Sequence, residues 1–261
     1  MKRLFKNIVK KILWSFGLKL IPVASYKELS IRNARYKKYE ILEAFKTKYA
    51  GELYQDLPLS RSQLCQELFV LNELDFKTKG YFVEFGAANG LIWSNTLLLE
   101  KKYDWSGILA EPAKTWHEEL QKNRNVNIEK SCVWKESGID LQFQETELPI
   151  LSTIENFISK DLYKNQRRSG TNYSVPTISI NDLLEKFEAP CVIDYMSLDT
   201  EGSEFDILST LNFEKYKFRV ITCEHNFTED RERIRNLLSE NGYVRKYENV
   251  SSFDDWYVLD K

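Results

Sequence analysis

A glycine-rich turn next to an acidic residue gives the first chemical signal in this sequence. Residues 81–90 read YFVEFGAANG, so an apolar run contains Glu84 and leads into a turn that begins at Gly86 and ends at Gly90. A strand that enters a helix through such a turn directs backbone N–H groups to one point, and glycine lets a ligand approach the backbone closely. We therefore expect a nucleotide-like ligand at this turn.

The spacing within the turn distinguishes three kinds of nucleotide site. A phosphate-binding P-loop requires GxxxxGK[ST], but Leu91 and Ile92 follow Gly90. The dinucleotide fingerprint requires GxGxxG, but Ala88 and Leu91 occupy the second and third glycine positions, which disfavours a dehydrogenase. The remaining pattern, E-x-G-x-x-x-G, suits S-adenosylmethionine, because its ammonium and sulfonium groups are cationic and favour an acid at the strand end.

A second acid stands where nucleotide folds place the acid that binds ribose. Glu111 follows the strand-like run GILA and lies 21 residues after Gly90, close to the spacing of about 20 residues in such folds. We expect its carboxylate to accept hydrogen bonds from both ribose hydroxyls. The predicted cofactor residues are Glu84, Gly86, Ala87, Asn89, Gly90, Asn95, Glu111, Pro112 and Asp199.

Two tryptophans and one strand-like segment lie near these cofactor residues in the sequence. Trp93 follows the glycine turn and Trp116 follows the ribose acid. Each of them either stacks on adenine or sugar or packs in the core. Adenine is expected near residues 132–134.

Two polar clusters late in the chain contain the candidate catalytic residues. The segment SLDTEGSE at 197–204 carries Asp199 and Glu201, and CEHN at 223–226 carries His225. The carboxyl ends of parallel strands meet at one edge of a doubly wound sheet, so both clusters are expected beside the cofactor. Transfer of the methyl group from S-adenosylmethionine requires alignment of the acceptor atom with that methyl group and, where the acceptor is a hydroxyl, removal of its proton. Asp199, Glu201 and His225 are therefore the predicted catalytic residues.

The route of the proton stays open between two alternatives. In a metal-dependent route, Asp199, Glu224 and Asn226 hold Mg²⁺ or Mn²⁺, which lowers the pKa of the acceptor hydroxyl. His225 is then a general base or a further ligand. In a metal-free route, His225 is the base and either Asp199 or Glu201 orients it. A hydrogen-bonded histidine at a strand end, without a catalytic role, is the remaining interpretation.

Several longer segments resemble the FkbM-type methyltransferase family, a branch of the Rossmann-like methyltransferases that depends on S-adenosylmethionine. The resemblance covers roughly residues 62–261 and rests on VEFGAANG with SNT, ILAEP, SLDTEGSEFDIL, VITCEHN and FDDWYVL. It implies methyl transfer to a hydroxyl, often on a sugar or natural-product scaffold, and does not fix the acceptor. One departure is that Gly90 follows Asn89 directly, where many relatives carry an aspartate after the asparagine.

The resemblance predicts an O-methyltransferase that acts on a carbohydrate hydroxyl, either of a nucleotide-linked sugar or of a surface-polysaccharide precursor. The alternatives are an O-methyltransferase of a non-sugar natural product and a catalytically silent binding protein that keeps the S-adenosylmethionine fold. The polar stretch 156–174 contains Lys164, Arg167 and Arg168. It is expected to be either a lid whose cations bind acceptor phosphates or a solvated loop.

The elements that must position these residues alternate along the chain. The segments with strand patterns are 81–85, 105–110, 126–133, 141–144, 177–180, 193–198, 218–223, 243–247 and 256–259, and those with helical patterns are 62–73, 94–102, 115–124, 181–187 and 229–241. Strands that alternate with helices form a mainly parallel sheet with helices on both faces. The sequence predicts an α/β fold, Rossmann-like and doubly wound, with a mainly parallel seven-stranded sheet and an N-terminal helical appendage.

The charge of the chain divides it near residue 50. Residues 1–50 hold thirteen basic and three acidic side chains, whereas the remaining residues hold twenty-four basic and thirty-six acidic ones. An acidic main body disfavours nucleic acid as a partner, because phosphate contacts dominate such binding. We therefore expect a basic helical appendage at 1–50, a methyltransferase domain at 51–261 and a small-molecule or glycan acceptor.

The first twenty residues predict a basic amphipathic helix with its own possible partners. Apolar residues recur at helical spacing through 2–20, and the charged residues among them are lysine and arginine. Such a helix packs on the main body or on a second subunit in a homodimer, or it makes a weak contact with an anionic membrane surface. The four cysteines are far apart without a CxxC pair, as in reduced cytosolic proteins. We expect a cytoplasmic protein, peripheral to the inner membrane face if the helix binds lipid.

Overall fold

The computed structural model describes residues 23–146, 152–154 and 170–260. The basic helix expected at 2–20 and the cations Lys164, Arg167 and Arg168 lie outside the described residues. The chain divides into two compact units, residues 1–40 and 41–261, whereas the charge pattern placed the boundary near residue 50. In the described part of the chain, no helix has the length and apolar character needed to span a bilayer.

Helices and strands alternate along the described part of the chain. The described helices are α1 (Val23–Ala44), α2 (Ala50–Asp56), α3 (Gln66–Glu73), α4 (Leu97–Tyr103), α5 (His117–Asn123), α6 (Ile180–Lys186), α7 (Glu204–Leu208) and α8 (Asp230–Glu240). The described strands are β1 (Tyr81–Phe85), β2 (Ser106–Ala110), β3 (Asn127–Glu129), β4 (Cys132–Trp134), β5 (Asp140–Thr146), β6 (Thr153–Ile154), β7 (Gly170–Ser179), β8 (Val192–Leu198), β9 (Lys217–Glu224), β10 (Tyr243–Lys246) and β11 (Asp254–Leu259).

The main sheet has seven strands in the order β10-β11-β9-β8-β1-β2-β3. Five neighbouring strands, from β9 to β3 in this order, are parallel. β11 runs antiparallel to both β9 and β10, as the predicted closing hairpin requires. The sheet is therefore mainly parallel and seven-stranded, as predicted, but mixed rather than purely parallel.

The two faces of the main sheet bury separate apolar cores. Successive side chains of a strand point to opposite faces, so Phe82 packs with one core and Val83 with the other. In the same way, Leu109 joins the core of Phe82 and Ile108 joins the core of Val83. Helices cover both faces, which is the doubly wound arrangement expected from the alternation of elements.

A second sheet, which the sequence does not predict, has four strands in the order β4-β7-β5-β6. The segment 126–133, expected as one strand, is split between β3 in the main sheet and β4 in the small sheet. The chain turns between them because Glu129 Oε1 accepts hydrogen bonds from the N–H groups of Lys130 (2.9 Å) and Ser131 (2.8 Å). Residues 170–174, expected as part of a lid, form the first half of β7.

Candidate active site

A cavity lies at the carboxyl ends of main-sheet strands and is also lined by residues of the small sheet. β1 and β2 of the main sheet contribute Phe85 and Ala110, and Asp199 follows β8. The small sheet contributes Val133 from β4 and Phe143 from β5. In open α/β sheets, ligands bind in the crevice outside the carboxyl ends of the strands, so this cavity is the candidate active site.

Most of the predicted cofactor residues line this cavity. Those that do are Glu84, Gly86, Asn95, Glu111, Pro112 and Asp199. Ala87, Asn89 and Gly90 belong to the same turn but are not part of the lining. Both Trp93 and Trp116 contribute to it, as does Cys132 in the segment where adenine is expected.

Gly86 allows the main chains of β1 and β8 to meet at the cavity. Its φ is +80°, a main-chain conformation that residues other than glycine rarely adopt. A Cβ atom at this position would lie 1.9 Å from the carbonyl oxygen of Asp199. The Asp199 N–H in turn donates to the carbonyl of Phe85 at 3.2 Å. Position 86 therefore requires glycine both for its dihedral angle and for the approach of a second strand.

Glu84 is buried at the end of β1, and its carboxylate binds the chain that follows the glycine turn. It accepts hydrogen bonds from the Asn95 N–H (2.8 Å), the Ser94 hydroxyl (3.2 Å) and the Thr96 hydroxyl. Burial raises the pKa of Glu84, while Arg124 and these donors lower it. The sequence interpretation made Glu84 a direct partner of the cofactor cation. In the structure its carboxylate holds residues 94–96 beside the cavity that Glu84 also lines, and the contact with the cofactor cation stays a prediction.

Arg124, which the sequence analysis did not single out, is the centre of this polar network. Its guanidinium lies within 3.7 Å of Glu84 and forms a closer ion pair with Glu100, and the arginine side chain is fully buried. Nη1 donates to the carbonyl of Gly90 (3.2 Å) and to the hydroxyl of Ser94 (3.0 Å). The signal was missed because Arg124 ends a polar helical segment and its partners lie in an earlier part of the chain.

Glu111 closes the other side of the turn. Its carboxylate accepts hydrogen bonds from the N–H groups of Ala88 (2.7 Å) and Ala113 (2.8 Å). Burial raises the pKa of Glu111 to about 7. A carboxylate has about four lone-pair positions, so further hydroxyl donors can still be accepted. The geometry fits the predicted ribose acid.

Asn89 shapes the loop between the turn and α4 without lining the cavity. Its side-chain Oδ1 accepts hydrogen bonds from the N–H groups of Leu91 and Ile92, each at 3.0 Å. Three consecutive apolar side chains then remain exposed, Leu91 by 40%, Ile92 by 43% and Trp93 by 50%. Ile92 and Trp93 line the cavity. Asn89 thus positions residues at the cavity rather than contacting a ligand there.

Three carboxyl groups meet beyond β8 and β9. Ligand oxygens of Asp199, Glu201 and Glu224 lie within 4.8 Å of one another. Burial raises the pKa of Asp199 to about 6, and burial together with the charges of its acidic neighbours raises that of Glu224 well above its ordinary value. Asp199 and Glu224 are neighbours in this group, and each of them influences the pKa of the other. Two acidic groups this close favour a state in which one of them carries a proton.

Hydrogen bonds to Glu204, at the start of α7, fix the loop that carries Glu201. The Glu204 carboxylate accepts hydrogen bonds from the N–H groups of Thr200 (2.9 Å) and Gly202 (3.1 Å). Glu201 has a φ of +60° between these two anchored residues. Asp199, Thr200 and Glu201 all line the cavity. The motif LDTEGSE therefore supplies both the cavity carboxylates and the acid that fixes their loop.

His225 does not reach the cavity lining, in contrast to its predicted catalytic role. Its Nδ1 accepts a hydrogen bond from the Phe227 N–H at 3.0 Å, so the proton of the neutral ring is on Nε2. Nε2 lies 3.7 Å from Asp255, whose carboxylate is bound by Arg231 and Arg245. Burial lowers the pKa of His225 to about 4. This arrangement fits neither a general base nor a metal ligand.

The structure brings together two of the three predicted metal ligands. Asp199 and Glu224 are neighbours, and Glu201 completes the group. Asn226 lies in a left-handed conformation with a φ of +43°, and its N–H donates to the carbonyl of Phe253 at 3.3 Å. Carboxylate oxygens are the donors that Mg²⁺ and Mn²⁺ prefer, so the chemistry of the group fits such an ion.

Comparison with known proteins gives a family match over most of the larger unit. A family model described as the methyltransferase FkbM domain matches residues 84–245. The match begins at Glu84 and includes Glu111, Asp199 and Glu224. No curated protein sequence matches the chain.

Solved structures with similar chain traces are methyltransferases of several kinds. One is the precorrin-6y C5,15-methyltransferase from Geobacter metallireducens, with 10% identity, a TM-score of 0.38, and coverage of 74% of this chain and 85% of that chain. Another is a human methyltransferase 10 domain containing protein, with 10% identity, a TM-score of 0.38, and coverage of 75% and 80%. A third is the N-terminal domain of human METTL16, with 11% identity, a TM-score of 0.39, and coverage of 73% and 66%.

Proposed function

This chain belongs to the FkbM methyltransferase domain family, and from that premise we propose that it methylates a hydroxyl group of a carbohydrate. Membership in the family makes S-adenosylmethionine the methyl donor. O-methylation and the carbohydrate acceptor are the two proposed parts. The observation that carries them is the presence of Asp199 and Glu201 in the same cavity as Gly86 and Glu111.

The residues around the glycine turn bind and orient the donor. S-adenosylmethionine supplies a methyl group that its sulfonium already activates for displacement. The Glu111 carboxylate accepts hydrogen bonds from the ribose hydroxyls, and Gly86 lets the nucleoside approach the main chain. The network of Glu84 and Arg124 keeps the walls of this pocket in one geometry. Such fixed positioning is the larger part of catalysis for an in-line displacement.

The carboxylates beyond β8 receive the proton of the acceptor. As the hydroxyl oxygen bonds to the methyl carbon, the carbon–sulfur bond breaks and the hydroxyl proton passes to a carboxylate. Asp199 suits this task because its raised pKa of about 6 makes it a stronger base than an ordinary aspartate near neutral pH. Glu224 holds the shared proton and positions Asp199, while Glu201 faces the cavity as a further hydrogen-bond acceptor.

The charge of the cavity favours a neutral, hydroxyl-rich acceptor. Glu84, Glu111, Asp199 and Glu201 contribute acidic groups, and none of the described lining residues is lysine or arginine. An anionic acceptor group would be repelled at the reacting end of this cavity. A sugar hydroxyl fits, since it is neutral and its neighbouring hydroxyls can donate to carboxylates. A neutral non-sugar natural product is the alternative acceptor.

A labelled methyl donor tests the proposal directly. The protein is incubated with S-adenosylmethionine carrying a tritiated methyl group and with nucleotide-sugars and neutral oligosaccharides. We expect label in a sugar product that survives mild alkali, because a methyl ether is stable where a methyl ester is hydrolysed. Label in a non-sugar compound would show that the acceptor is not a carbohydrate. Calorimetric binding of S-adenosylhomocysteine without any transfer would favour a silent binding protein.

A divalent cation is a second hypothesis for the same acidic group. Asp199, Glu201 and Glu224 would hold Mg²⁺ or Mn²⁺ there, and the ion would lower the pKa of the acceptor hydroxyl. The measurement is the transfer rate after EDTA treatment and after readdition of each metal. A transfer rate that neither EDTA nor added metal changes would exclude this route. Asp199 would then accept the proton without a metal ion.

A further inference from the structure

The loop between the glycine turn and α4 is fixed on its inner side and open on its outer side. Inside, Asn89 Oδ1 binds two consecutive N–H groups, and Arg124 binds the carbonyl of Gly90 and the hydroxyl of Ser94. Asn123 Nδ2 also donates to the carbonyl of Asn89 at 2.9 Å. Asn89 and Arg124 are buried and Asn123 is partly buried, so the main chain of residues 89–94 is held in one geometry. The loop therefore presents its outer side chains as a preformed surface.

Trp93 is the most exposed of the three outer side chains and has an uncommon main-chain conformation. Half of its surface is accessible, and it lines the cavity beside Ile92. Its φ of +53° is in the left-handed region, where bulky residues are genuine outliers. Such conformations persist where the surrounding structure imposes them, and they cluster at ligand-binding and active sites. The fold thus maintains an exposed indole at the cavity although neither its exposure nor its backbone angle favours stability.

We propose that Trp93, with Ile92 beside it, is the platform on which the C–H face of the acceptor's sugar ring lies. This inference rests on the proposed carbohydrate O-methylation and identifies a specificity-determining residue for it. The face of an indole carries partial negative charge and attracts the slightly positive C–H groups of a pyranose ring. The hydroxyls at the ring edge then reach Asp199 and Glu201, which line the same cavity.

The mixed lining of the cavity distinguishes a sugar from other acceptors. An aliphatic chain or an unsubstituted aromatic ring would cover Ile92 and Trp93 but would leave the cavity carboxylates without donors. A free acid would be repelled by the same carboxylates. A sugar ring alone combines an apolar face with several neutral donors at its edge, and ligand sites generally join an apolar surface to a few placed polar groups.

Saturation-transfer NMR on the protein loaded with S-adenosylhomocysteine tests the platform. The probes are the methyl glycosides of glucose, galactose, mannose and rhamnose. We expect transfer to the C–H protons of one ring face for at least one probe, retention of the signal in Trp93→Phe and its loss in Trp93→Leu. Phe227→Ala is the matched control, since Phe227 is also an exposed aromatic residue with positive φ but lies outside the cavity lining.

Binding and kinetic measurements separate this inference from the proposed function. Trp93→Leu should leave the calorimetric affinity for S-adenosylhomocysteine unchanged. It should raise the KM for a sugar that the enzyme methylates roughly tenfold, with a smaller change in kcat. If Trp93→Leu keeps the wild-type KM for the sugar, the platform is refuted but the proposed O-methylation is not. Weaker S-adenosylhomocysteine binding in Trp93→Leu, or glycoside signals unaffected by the change, would also refute it. Failure of wild-type protein to bind S-adenosylhomocysteine would instead refute the proposed function.

Discussion

Carboxyl groups stand at two places beside the cavity, at Glu84 on β1 and in the cluster of Asp199, Glu201 and Glu224, and their surroundings differ. Glu84, beyond the middle of β1, meets three hydrogen-bond donors and lies near the buried guanidinium of Arg124. Glu224, at the end of β9, meets Asp199 and Glu201, so its nearest charged groups are acids like itself. Burial raises the pKa in both places, but the neighbours of Glu84 oppose that rise and the neighbours of Glu224 add to it.

The difference shows how one residue type takes two tasks in one fold. A buried carboxylate surrounded by donors and a cation is fixed in geometry and charge, which suits a part that positions other groups. Carboxyl groups that share a proton hold that proton near neutral pH, which suits proton transfer. We therefore expect mutations in the network of Glu84 and Arg124 to change mainly the stability of the protein. Mutations in the carboxyl cluster should change mainly the activity and its pH dependence.

Arg124→Met gives the largest expected effect and tests the positioning side. The change leaves Glu84 and Glu100 buried without their cation, so we expect a loss of about 3–5 kcal/mol in the free energy of unfolding. Urea denaturation measures it. The matched control is Arg219→Met, whose half-exposed side chain pairs with Asp194 at 3.5 Å and should change stability by at most about 1 kcal/mol. Equal losses in the two variants would contradict the network.

Asp199→Asn tests the cluster side, where activity should change far more than stability. Loss of the proton acceptor should lower the methyl-transfer rate by roughly 10²–10⁴-fold, and the midpoint of thermal unfolding should stay near that of the wild-type protein. The assay is transfer of tritiated methyl at saturating donor. Asp206→Asn, on α7 and outside the cavity lining, is the control. A rate in Asp199→Asn close to wild type would move the base elsewhere.

The pH profile of the wild-type enzyme gives the next effect in size. Asp199 accepts a proton only when ionised, and its pKa is raised to about 6. The value of kcat/KM should therefore fall about tenfold per pH unit below that point and level off above it. Stopped assays across this range provide the measurement. A midpoint near the ordinary aspartate pKa would show that a buried Asp199 is not the group whose ionisation controls the rate.

Glu224→Gln gives the smallest expected effect, and its sign depends on pH. Folded Glu224 keeps its proton above its ordinary pKa, so its contribution to stability is lost as the pH rises past about 4.5. Glutamine does not titrate and can still donate to Asp199. The variant should be more stable than wild type by at least about 1 kcal/mol near pH 8 and equal to it near pH 4. A loss of stability at the higher pH would contradict the protonated pair.

Local sequence patterns predicted the elements of the main sheet but not their partners. The run 126–133 was predicted as one strand, yet its two halves pair with β2 and β7 in different sheets. The break depends on the side chain of Glu129 folding back onto the next two N–H groups. Periodicity reports which face of a strand is apolar and carries no information on such a turn.

The candidate site was predictable where its residues belong to motifs that follow strands. The glycine turn, Glu111 and Asp199 all lie at the cavity, because strand-end motifs in this fold converge at one edge. Arg124 has no motif, and its role depends on partners that only the folded chain brings close. His225 shows the reverse case, since a histidine at a strand end was expected in the cavity but its ring is directed toward Asp255.

The contact between Gly86 and the carbonyl of Asp199 has a consequence for the order in which the site forms. The two residues are far apart in the sequence, and their contact is between main-chain atoms. A growing chain that has completed β1 and β2 holds the glycine turn and Glu111 but lacks the strand that closes them. Long-range pairings of this kind form late and slowly. Until β8 docks beside β1, the newly made chain should have no measurable affinity for the nucleoside.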